Sequence, residues 1–192
     1  MKYYIEIGTC DFDTFTEEVL SDNQWTGIAV EPIKQYFDNI PKRQQTYYEN
    51  SAIVDDSSKS TVVMYSIQNP DQPWKKGISS LFPNHKDVKI HKMHSSYTPI
   101  EVPCLTFESL LQKYNFTQQL DFLKIDTEGF DTHIVSQVLN FYDGINLPKK
   151  IMFEHKHSRK IDIDSLLKRL NPFYFITKQR HDFICVLKNA PE

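Results

Sequence analysis

The stretch LDFLKIDTEGFDTHIVSQVLNFY, residues 120–142, contains an apolar run, an acidic turn and a helix-like segment in direct succession. Residues 120–125 are apolar enough to predict a central strand of a sheet rather than an edge strand. Gly129 permits the turn, and apolar residues then recur at helical spacing: Ile134, Val135, Val138, Leu139 and Tyr142. A buried strand followed at once by a helix is the unit from which parallel sheets are built.

The same alternation of strand-like and helix-like stretches extends along most of the chain. Predicted strands cover 2–9, 26–32, 45–54, 60–67, 120–126 and 149–155. Predicted helices cover 13–22, 33–40, 106–115, 130–142 and 162–171. The last apolar stretch, 173–187, is typical of two strands around a turn. The pattern predicts an α/β fold with a mostly parallel sheet, helices on both faces and a C-terminal antiparallel hairpin.

The composition is that of an ordinary globular protein. The 192 residues are 40% hydrophobic and 24% charged, with a formal net charge of −3, so no overall positive field points to nucleic acid or an anionic membrane. No apolar run approaches the roughly 20 residues needed to cross a bilayer, and the chain begins without a secretion signal. We expect one cytoplasmic domain over 1–192, with neither membrane nor nucleic acid as a partner; the oligomeric state stays open.

The cysteines and histidines predict no metal site. The three cysteines are widely spaced and form no C-x-x-C pair, which fits a reducing compartment better than a disulfide framework. The histidines do not follow the spacing of zinc ligands. The sequence therefore assigns no residue to a metal site, and whether a metal is needed stays open.

Acidic residues stand at the ends of the predicted strands. In an open parallel sheet, ligands bind beyond the carboxyl ends of the strands, where the strand order reverses. Glu31 ends the second predicted strand, about 20 positions after Gly8, where an acid can accept hydrogen bonds from both hydroxyls of a ribose. The spacing therefore predicts a ribose-containing ligand.

The loop that follows Gly8, GTCDFDT at residues 8–14, favours a cationic ligand over a phosphate. It lacks both the G-x-G-x-x-G pattern and the G-K-[ST] pattern, whose backbone amides bind pyrophosphate. Asp11 and Asp13 would repel a pyrophosphate and attract an ammonium group. S-adenosylmethionine carries a ribose, an amino group and a sulfonium cation but no phosphate, so it suits this loop better than NAD.

A second acidic group lies within residues 120–131 of the opening stretch. Asp126 ends a strand that should be central, so its carboxylate should face the cleft, where it could act as a general base, bind a cation or orient the cofactor. For Asp131 we favour a role as the cap of the following helix.

These motifs together resemble the FkbM-type family of S-adenosylmethionine-dependent methyltransferases. The resemblance rests on IEIGTCDFDT at 5–14, VEP at 30–32, NSAI at 50–53 and, most specifically, LKIDTEG at 123–129. It covers residues 3–155, and the terminal hairpin fits the same fold. It implies a Rossmann-like class I methyltransferase fold, with a mostly parallel seven-stranded sheet, and S-adenosylmethionine as cofactor.

The resemblance also implies a set of cofactor-binding residues. The methionine end of the cofactor would be lined by Glu6, Gly8, Thr9 and Cys10, and Asp126 would face the methionine moiety or the reacting centre. Glu31 would hold the ribose, with Pro32, Ile33, Ser51 and Ala52 around the adenine. Asp11 is expected to face the ammonium group on grounds of charge. Phe12 stands where family members often carry a second glycine.

We expect an O-methyltransferase acting on a hydroxyl of a small molecule or a glycan, with Glu128 or His155 as general base and Asp126 in support. An irregular insert at about 68–104 is a candidate substrate-binding element. Its basic run 84–94 and the run 154–160 would favour an anionic or polyhydroxylated acceptor if both border one cleft. The alternatives are a non-catalytic module that binds the cofactor or a nucleoside and, with less support, an RNA methyltransferase.

Overall fold

The computed structural model describes residues 1–11 and 24–188, so the helix predicted at 13–22 lies outside the described residues. The strands, numbered in chain order, are β1 (Lys2–Ile7), β2 (Trp25–Val30), β3 (Thr46–Glu49), β4 (Ala52–Ile53), β5 (Thr61–Ile67), β6 (Ser79–Ser80), β7 (Tyr97–Leu105), β8 (Phe122–Ile125), β9 (Lys150–Glu154), β10 (Tyr174–Gln179) and β11 (Asp182–Leu187). The helices are α1 (Lys34–Phe37), α2 (Lys86–Ile90), α3 (Phe107–Lys113), α4 (Asp131–Tyr142) and α5 (Lys160–Leu170), with a 3₁₀ helix at Pro73–Gly77.

Seven strands form the main sheet, in the order β10-β11-β9-β8-β1-β2-β3. The pairs β1–β2, β2–β3, β1–β8 and β8–β9 are parallel, whereas β11 runs antiparallel to both β9 and β10. The prediction of a mostly parallel seven-stranded sheet with a C-terminal antiparallel hairpin is confirmed. The chain moves outward from β1 on one side and from β8 on the other, so the strand order reverses between these two strands.

Alternating residues of the central strands bury against different layers. Ile5 and Leu123 belong to the largest hydrophobic cluster, which includes residues of α3, α4 and α5. Tyr4 and Phe122 point to the opposite face, where Trp25 packs against them. This period of two places the side chains of a central strand on both faces, which is why Phe122, Leu123 and Ile125 of β8 are all buried.

The helix ends agree only partly with the sequence. The Thr106 side chain caps α3 by accepting a hydrogen bond from the Ser109 amide, as predicted. The helix α5 begins at Lys160 rather than at an aspartate of the predicted range 162–171. Each helix in the described part of the chain is too short or too polar to span a lipid bilayer.

A second, smaller sheet contradicts part of the predicted strand arrangement. Its order is β4-β7-β5-β6, so the strand predicted at 60–67 forms but joins this sheet instead of the main one. The insert 68–104 is also less irregular than predicted, because Tyr97–Leu105 pairs antiparallel with Thr61–Ile67. Residues 97–103 pair with β5 only, so the edge opposite β5 tolerates the prolines Pro99 and Pro103.

Asp131 holds the loop between β8 and α4. Its buried carboxylate accepts hydrogen bonds from the amides of Thr127, Gly129 and Glu154 and from the Thr127 hydroxyl. The N-cap of α4 is Phe130, so the prediction that Asp131 caps this helix is wrong. The carboxylate instead connects the loop to the end of β9. Burial raises the pKa of Asp131 to about 8, and the nearby Asp126 carboxylate acts in the same direction.

We expect Asp131→Ala to lower the free energy of unfolding by about 3 kcal/mol, because it leaves buried backbone N–H groups without acceptors. Urea denaturation at pH 7 measures the change. The control is Ser136→Ala in the same helix, which removes only a bond to the Thr132 carbonyl and should cost less than about 0.5 kcal/mol. Equal losses in the two variants would contradict the role assigned to Asp131.

Candidate functional site

A cavity of about 340 Å³ opens at the carboxyl ends of β1, β2 and β8. This is the point at which the strand order reverses, the place where open α/β sheets bind ligands. Its size falls within the range of small-molecule and cofactor sites. Of the residues predicted to bind the cofactor, eight line it: Gly8, Thr9, Cys10, Glu31, Pro32, Ser51, Ala52 and Asp126.

Gly8 brings the ends of β1 and β8 close together. Its φ of +87° lies in the left-handed region, and a Cβ built there would be 1.8 Å from the Asp126 carbonyl oxygen. The Gly8 amide donates to the Val30 carbonyl, and the Asp126 amide donates to the Ile7 carbonyl. The loops after three neighbouring strands therefore meet at one glycine that no other residue can replace without displacement.

Glu31 is buried with both carboxylate oxygens already oriented. Oε2 accepts from the Cys10 amide at 2.7 Å, and Oε1 accepts from the Ile33 amide at 2.8 Å. Each carboxylate oxygen can accept a further hydrogen bond, so two hydroxyls can still bind. Burial raises the pKa of Glu31 to about 7, although both backbone bonds oppose the shift. Ile33, predicted to lie beside the adenine, is not on the cavity wall and contributes its amide.

The cavity floor between β1 and β8 carries a charged pair. Lys124 lines the cavity, and its Nζ lies 3.0 Å from Oε1 of Glu6, which is fully buried. Glu6 therefore lies beneath the cavity wall, whereas the sequence analysis expected it to line the methionine end of the cofactor. Asp126 lies on the wall, and burial raises its pKa to about 6, opposed by Lys124.

Asp11 has a partner that the sequence did not indicate. Its Oδ2 lies 2.7 Å from Nζ of Lys76. Lys76 is part of the 3₁₀ helix and lines the cavity. Asp11 itself is not on the cavity wall. The ion pair satisfies the charge that was predicted to attract an ammonium group, which leaves Asp126 as the wall residue suited to that task.

Beyond Glu31, the cavity wall becomes mainly apolar. Pro32, Ala52, Ile53 and Met64 lie there, together with Ser51, whose hydroxyl donates to Glu49 at 2.6 Å and so is already used. A flat, aromatic group with few polar contacts fits this end, which agrees with the adenine side that the resemblance predicted.

A second cavity of about 740 Å³ adjoins the first, and Glu128 lines both. The first basic run contributes Asn84, His85 and Lys86, and the second contributes Lys156, His157, Ser158 and Arg159. The two runs that are 60 to 70 residues apart in the sequence thus border one cleft. That was the condition under which the sequence favoured an anionic or polyhydroxylated acceptor.

Glu128 occupies a strained turn between the two cavities. Its φ is +54°, which is unusual for a residue with a side chain. Oε2 lies 2.8 Å from Nε2 of His85 and 3.2 Å from Nε2 of His157, and the two imidazoles stack with centroids 4.2 Å apart. Burial lowers the pKa of His157 to about 4.

His155, predicted as an alternative base, does not border either cavity. Its ring packs against Phe183 with centroids 4.8 Å apart, on the side of β9 that faces the hairpin. The histidines that line the second cavity are His85, His133 and His157, which sequence reasoning missed as site residues. The available sequence signal was the alternation of side chains along a strand. It places residues 155 and 157 on the same side only in a regular strand, whereas β9 ends at Glu154.

Comparison with known proteins identifies related sequences and folds. The model of the methyltransferase FkbM domain matches residues 6–183. No curated protein matches. Among solved structures, human methyltransferase 10 domain containing protein is 11% identical, with 100% of this chain and 73% of that chain covered and a TM-score of 0.47.

Two further structures are similar to the same extent. The N-terminal domain of human METTL16 in complex with SAH is 12% identical, with coverage of 98% and 62% and a TM-score of 0.45. A chain of a fibrillarin/Nop5p complex is 12% identical, with coverage of 97% and 71% and a TM-score of 0.47. Scores this low add no argument to the fold already described.

We expect Gly8→Ala to destabilise the protein far more than Gly144→Ala, because only the first adds a backbone collision to the cost of a positive φ. Gly144 has a φ of +79°, but its added Cβ would be 3.4 Å from the nearest atom. The control should cost about 1 kcal/mol, and Gly8→Ala at least about twice that. Thermal unfolding of both variants measures the difference, and equal shifts in Tm would show that the collision is relieved without cost.

Proposed function

The chain belongs to the FkbM methyltransferase family, and we propose that it methylates an oxygen atom of an anionic or polyhydroxylated small molecule or glycan. Its cofactor is S-adenosylmethionine, which supplies an electrophilic methyl group bound to a sulfonium. The observation that carries the choice of oxygen is the position of Glu128, a carboxylate shared by the cofactor cavity and the polar cavity beside it.

The residues of the first cavity fit this cofactor. Glu31 offers a bidentate acceptor for the ribose hydroxyls, because its oxygens are oriented by the Cys10 and Ile33 amides. Asp126, on the wall of the same cavity, offers a negative charge for the amino group. In a sequence without a glycine-rich phosphate loop, this donor set suits an amino-acid nucleoside and not a pyrophosphate.

Oxygen acceptors need a group that removes the hydroxyl proton as the new bond forms. Glu128 is the candidate, since its carboxylate reaches the junction of the two cavities and is 19% exposed. The O–H proton of the acceptor would pass to a Glu128 oxygen while the acceptor oxygen attacks the methyl carbon; the bond from that carbon to sulfur would break, its electron pair would return to sulfur, and S-adenosylhomocysteine would be released. His85, hydrogen-bonded to Glu128 at 2.8 Å, would hold the carboxylate in position for this transfer.

The lining of the second cavity supports this choice of acceptor. Lys86, Lys156 and Arg159 are its cationic residues, although Arg159 pairs with Asp162 of the same lining, and Asn84 and Ser158 supply neutral hydrogen-bonding groups. Lys156 also binds Asp87 at 2.6 Å, which keeps its ammonium at the cavity edge. Polar groups of this kind can bind carboxylates, phosphates or several hydroxyls.

We expect the wild-type chain to transfer tritiated methyl groups to hydroxylated or anionic members of a panel of glycans and small acceptors. With the best acceptor, Glu128→Gln should lower kcat by about 10²–10⁴-fold, the usual contribution of a positioned base. The Kd for S-adenosylhomocysteine should change little. Glu108→Gln, an exposed position on α3, is the control and should retain full activity.

Three outcomes would contradict the proposal in different places. Binding of S-adenosylhomocysteine without transfer to any acceptor would favour a non-catalytic module. Transfer to nitrogen alone would remove the oxygen assignment. Unchanged kcat in Glu128→Gln would leave the reaction in place but exclude this proton acceptor.

Cofactor affinity should depend on pH through Glu31. The ionised carboxylate accepts the ribose hydroxyls, and its pKa of about 7 without ligand means that protonation competes with binding as the pH falls through that value. We expect the Kd for S-adenosylhomocysteine to rise about tenfold between pH 8 and pH 6. Calorimetry measures this change.

Glu31→Gln is the matched variant, because it keeps the size of the side chain but cannot titrate. It should bind more weakly at pH 8 and lose most of the pH dependence between pH 6 and 8. If both proteins show the same slope, another group is responsible for it.

A further inference from the structure

Three carboxylates converge where the two cavities meet. Asp126 and Glu128 follow β8, Glu154 ends the neighbouring β9, and one oxygen from each lies within 4.8 Å of the other two. Glu154 is 10% exposed, and its Oε2 has no hydrogen-bond partner among the described residues. Like charges this close in a poorly hydrated place repel strongly, so the group requires protons or a cation.

The imidazole of His157 is a second, independent indication of a ligand at this position. Its side chain is 3% exposed, and within residues 1–11 and 24–188 neither ring nitrogen has a hydrogen-bond partner. Nε2 lies 3.2 Å from Glu128 Oε2 and 3.9 Å from Glu154 Oε1. A buried polar atom without a partner costs free energy, and neutral imidazole is a common metal ligand.

We propose that Asp126, Glu128, Glu154 and Nε2 of His157 bind one divalent cation of the Mg²⁺/Mn²⁺ class. An octahedral ion with ligands at about 2.1 Å places adjacent ligands about 3 Å apart and opposite ones about 4.2 Å apart. The distances from His157 Nε2 to Glu128 Oε2 and Glu154 Oε1, 3.2 and 3.9 Å, lie between these two values, and the three carboxylate oxygens lie within 4.8 Å of one another. Three carboxylates and one imidazole suit Mg²⁺ or Mn²⁺ better than copper or a thiolate-bound metal.

His85 lies beside the same group but acts as a positioning residue rather than a ligand. Its Nδ1 accepts a hydrogen bond from the Asp87 amide at 3.3 Å, so the neutral ring carries its proton on Nε2. That proton is donated to Glu128 Oε2 at 2.8 Å, which leaves Nε2 without a lone pair for a metal. Hydrogen bonds of this kind orient the ligands of metal sites.

A cation at this site would act on the acceptor. This consequence rests on the proposed O-methylation, whereas the binding of the cation does not. Four protein ligands leave positions on an octahedral ion for water or for a hydroxyl of the acceptor. A metal-bound hydroxyl loses its proton more easily, so its deprotonation would no longer depend on Glu128 alone. The proton would pass to a neighbouring carboxylate or to water.

Binding of Mn²⁺ to the chelator-treated full chain, followed by the electron paramagnetic resonance signal of the free ion, tests the site. We expect saturable binding of one Mn²⁺ per chain and displacement by Mg²⁺. His157→Ala and Glu154→Gln should each weaken binding at least tenfold, because each removes a ligand. The exposed positions His94 and Glu108 provide the controls His94→Ala and Glu108→Gln, which should bind as wild type does.

The absence of saturable Mn²⁺ binding to the wild-type chain would overturn the proposal, as would unchanged affinity in both ligand variants. A pulsed measurement of nitrogen coupling to Mn²⁺ in the wild-type chain avoids any folding defect of a variant. Coupling to one imidazole nitrogen supports the site; no coupling, or coupling to two, overturns the ligand assignment. Neither measurement needs an acceptor, so a negative result is distinct from failure of the proposed O-methylation.

Discussion

Burial of carboxylates along one edge of the sheet is the constraint on which the site depends. Glu6, Glu31, Asp131 and Glu154 are all buried, and burial alone disfavours their ionised forms. Burial is the leading cause of the raised pKa of Glu31, Asp131 and Glu154, and for Glu154 the carboxylates around it act in the same direction. The fold tolerates this arrangement because most of these carboxylates meet a compensating group, and Glu154 is the exception among the four.

The compensation differs from one carboxylate to the next, and the difference separates scaffold from site. Asp131 accepts several backbone amides and connects β8, α4 and β9, so it belongs to the scaffold. Glu6 is neutralised from below by Lys124. Glu31 has amides on both oxygens but keeps acceptor capacity toward the cavity. Glu154 retains a buried oxygen without a partner, which is the property expected of a group that binds something from outside the chain.

The sequence predicted the parts of the fold that depend on local pattern. The apolar run of β8, the capping threonine before α3 and the acid at the end of β2 are signals within a few residues, and the structure places each where the pattern indicated. The second sheet was missed because β5 has the same β-branched composition as a strand of the main sheet, and its partner β7 carries Pro99 and Pro103. Composition identifies a strand, but it does not identify the sheet that the strand joins.

The contacts that decide the chemistry of the site connect residues far apart in the chain, which no local pattern records. Lys76 reaches Asp11 across 65 positions, and Glu128 reaches His85 across 43. The sequence predicted that acidic residues at the strand ends disfavour a phosphate ligand; of its two aspartates, Asp126 lies on the cavity wall, whereas Asp11 pairs with Lys76. A loop carboxylate with a lysine partner adds little net field, whereas a buried one on the cavity wall attracts a cation strongly. The carboxylate suited to a cationic nucleoside is therefore Asp126, whereas the sequence first indicated such a ligand through Asp11.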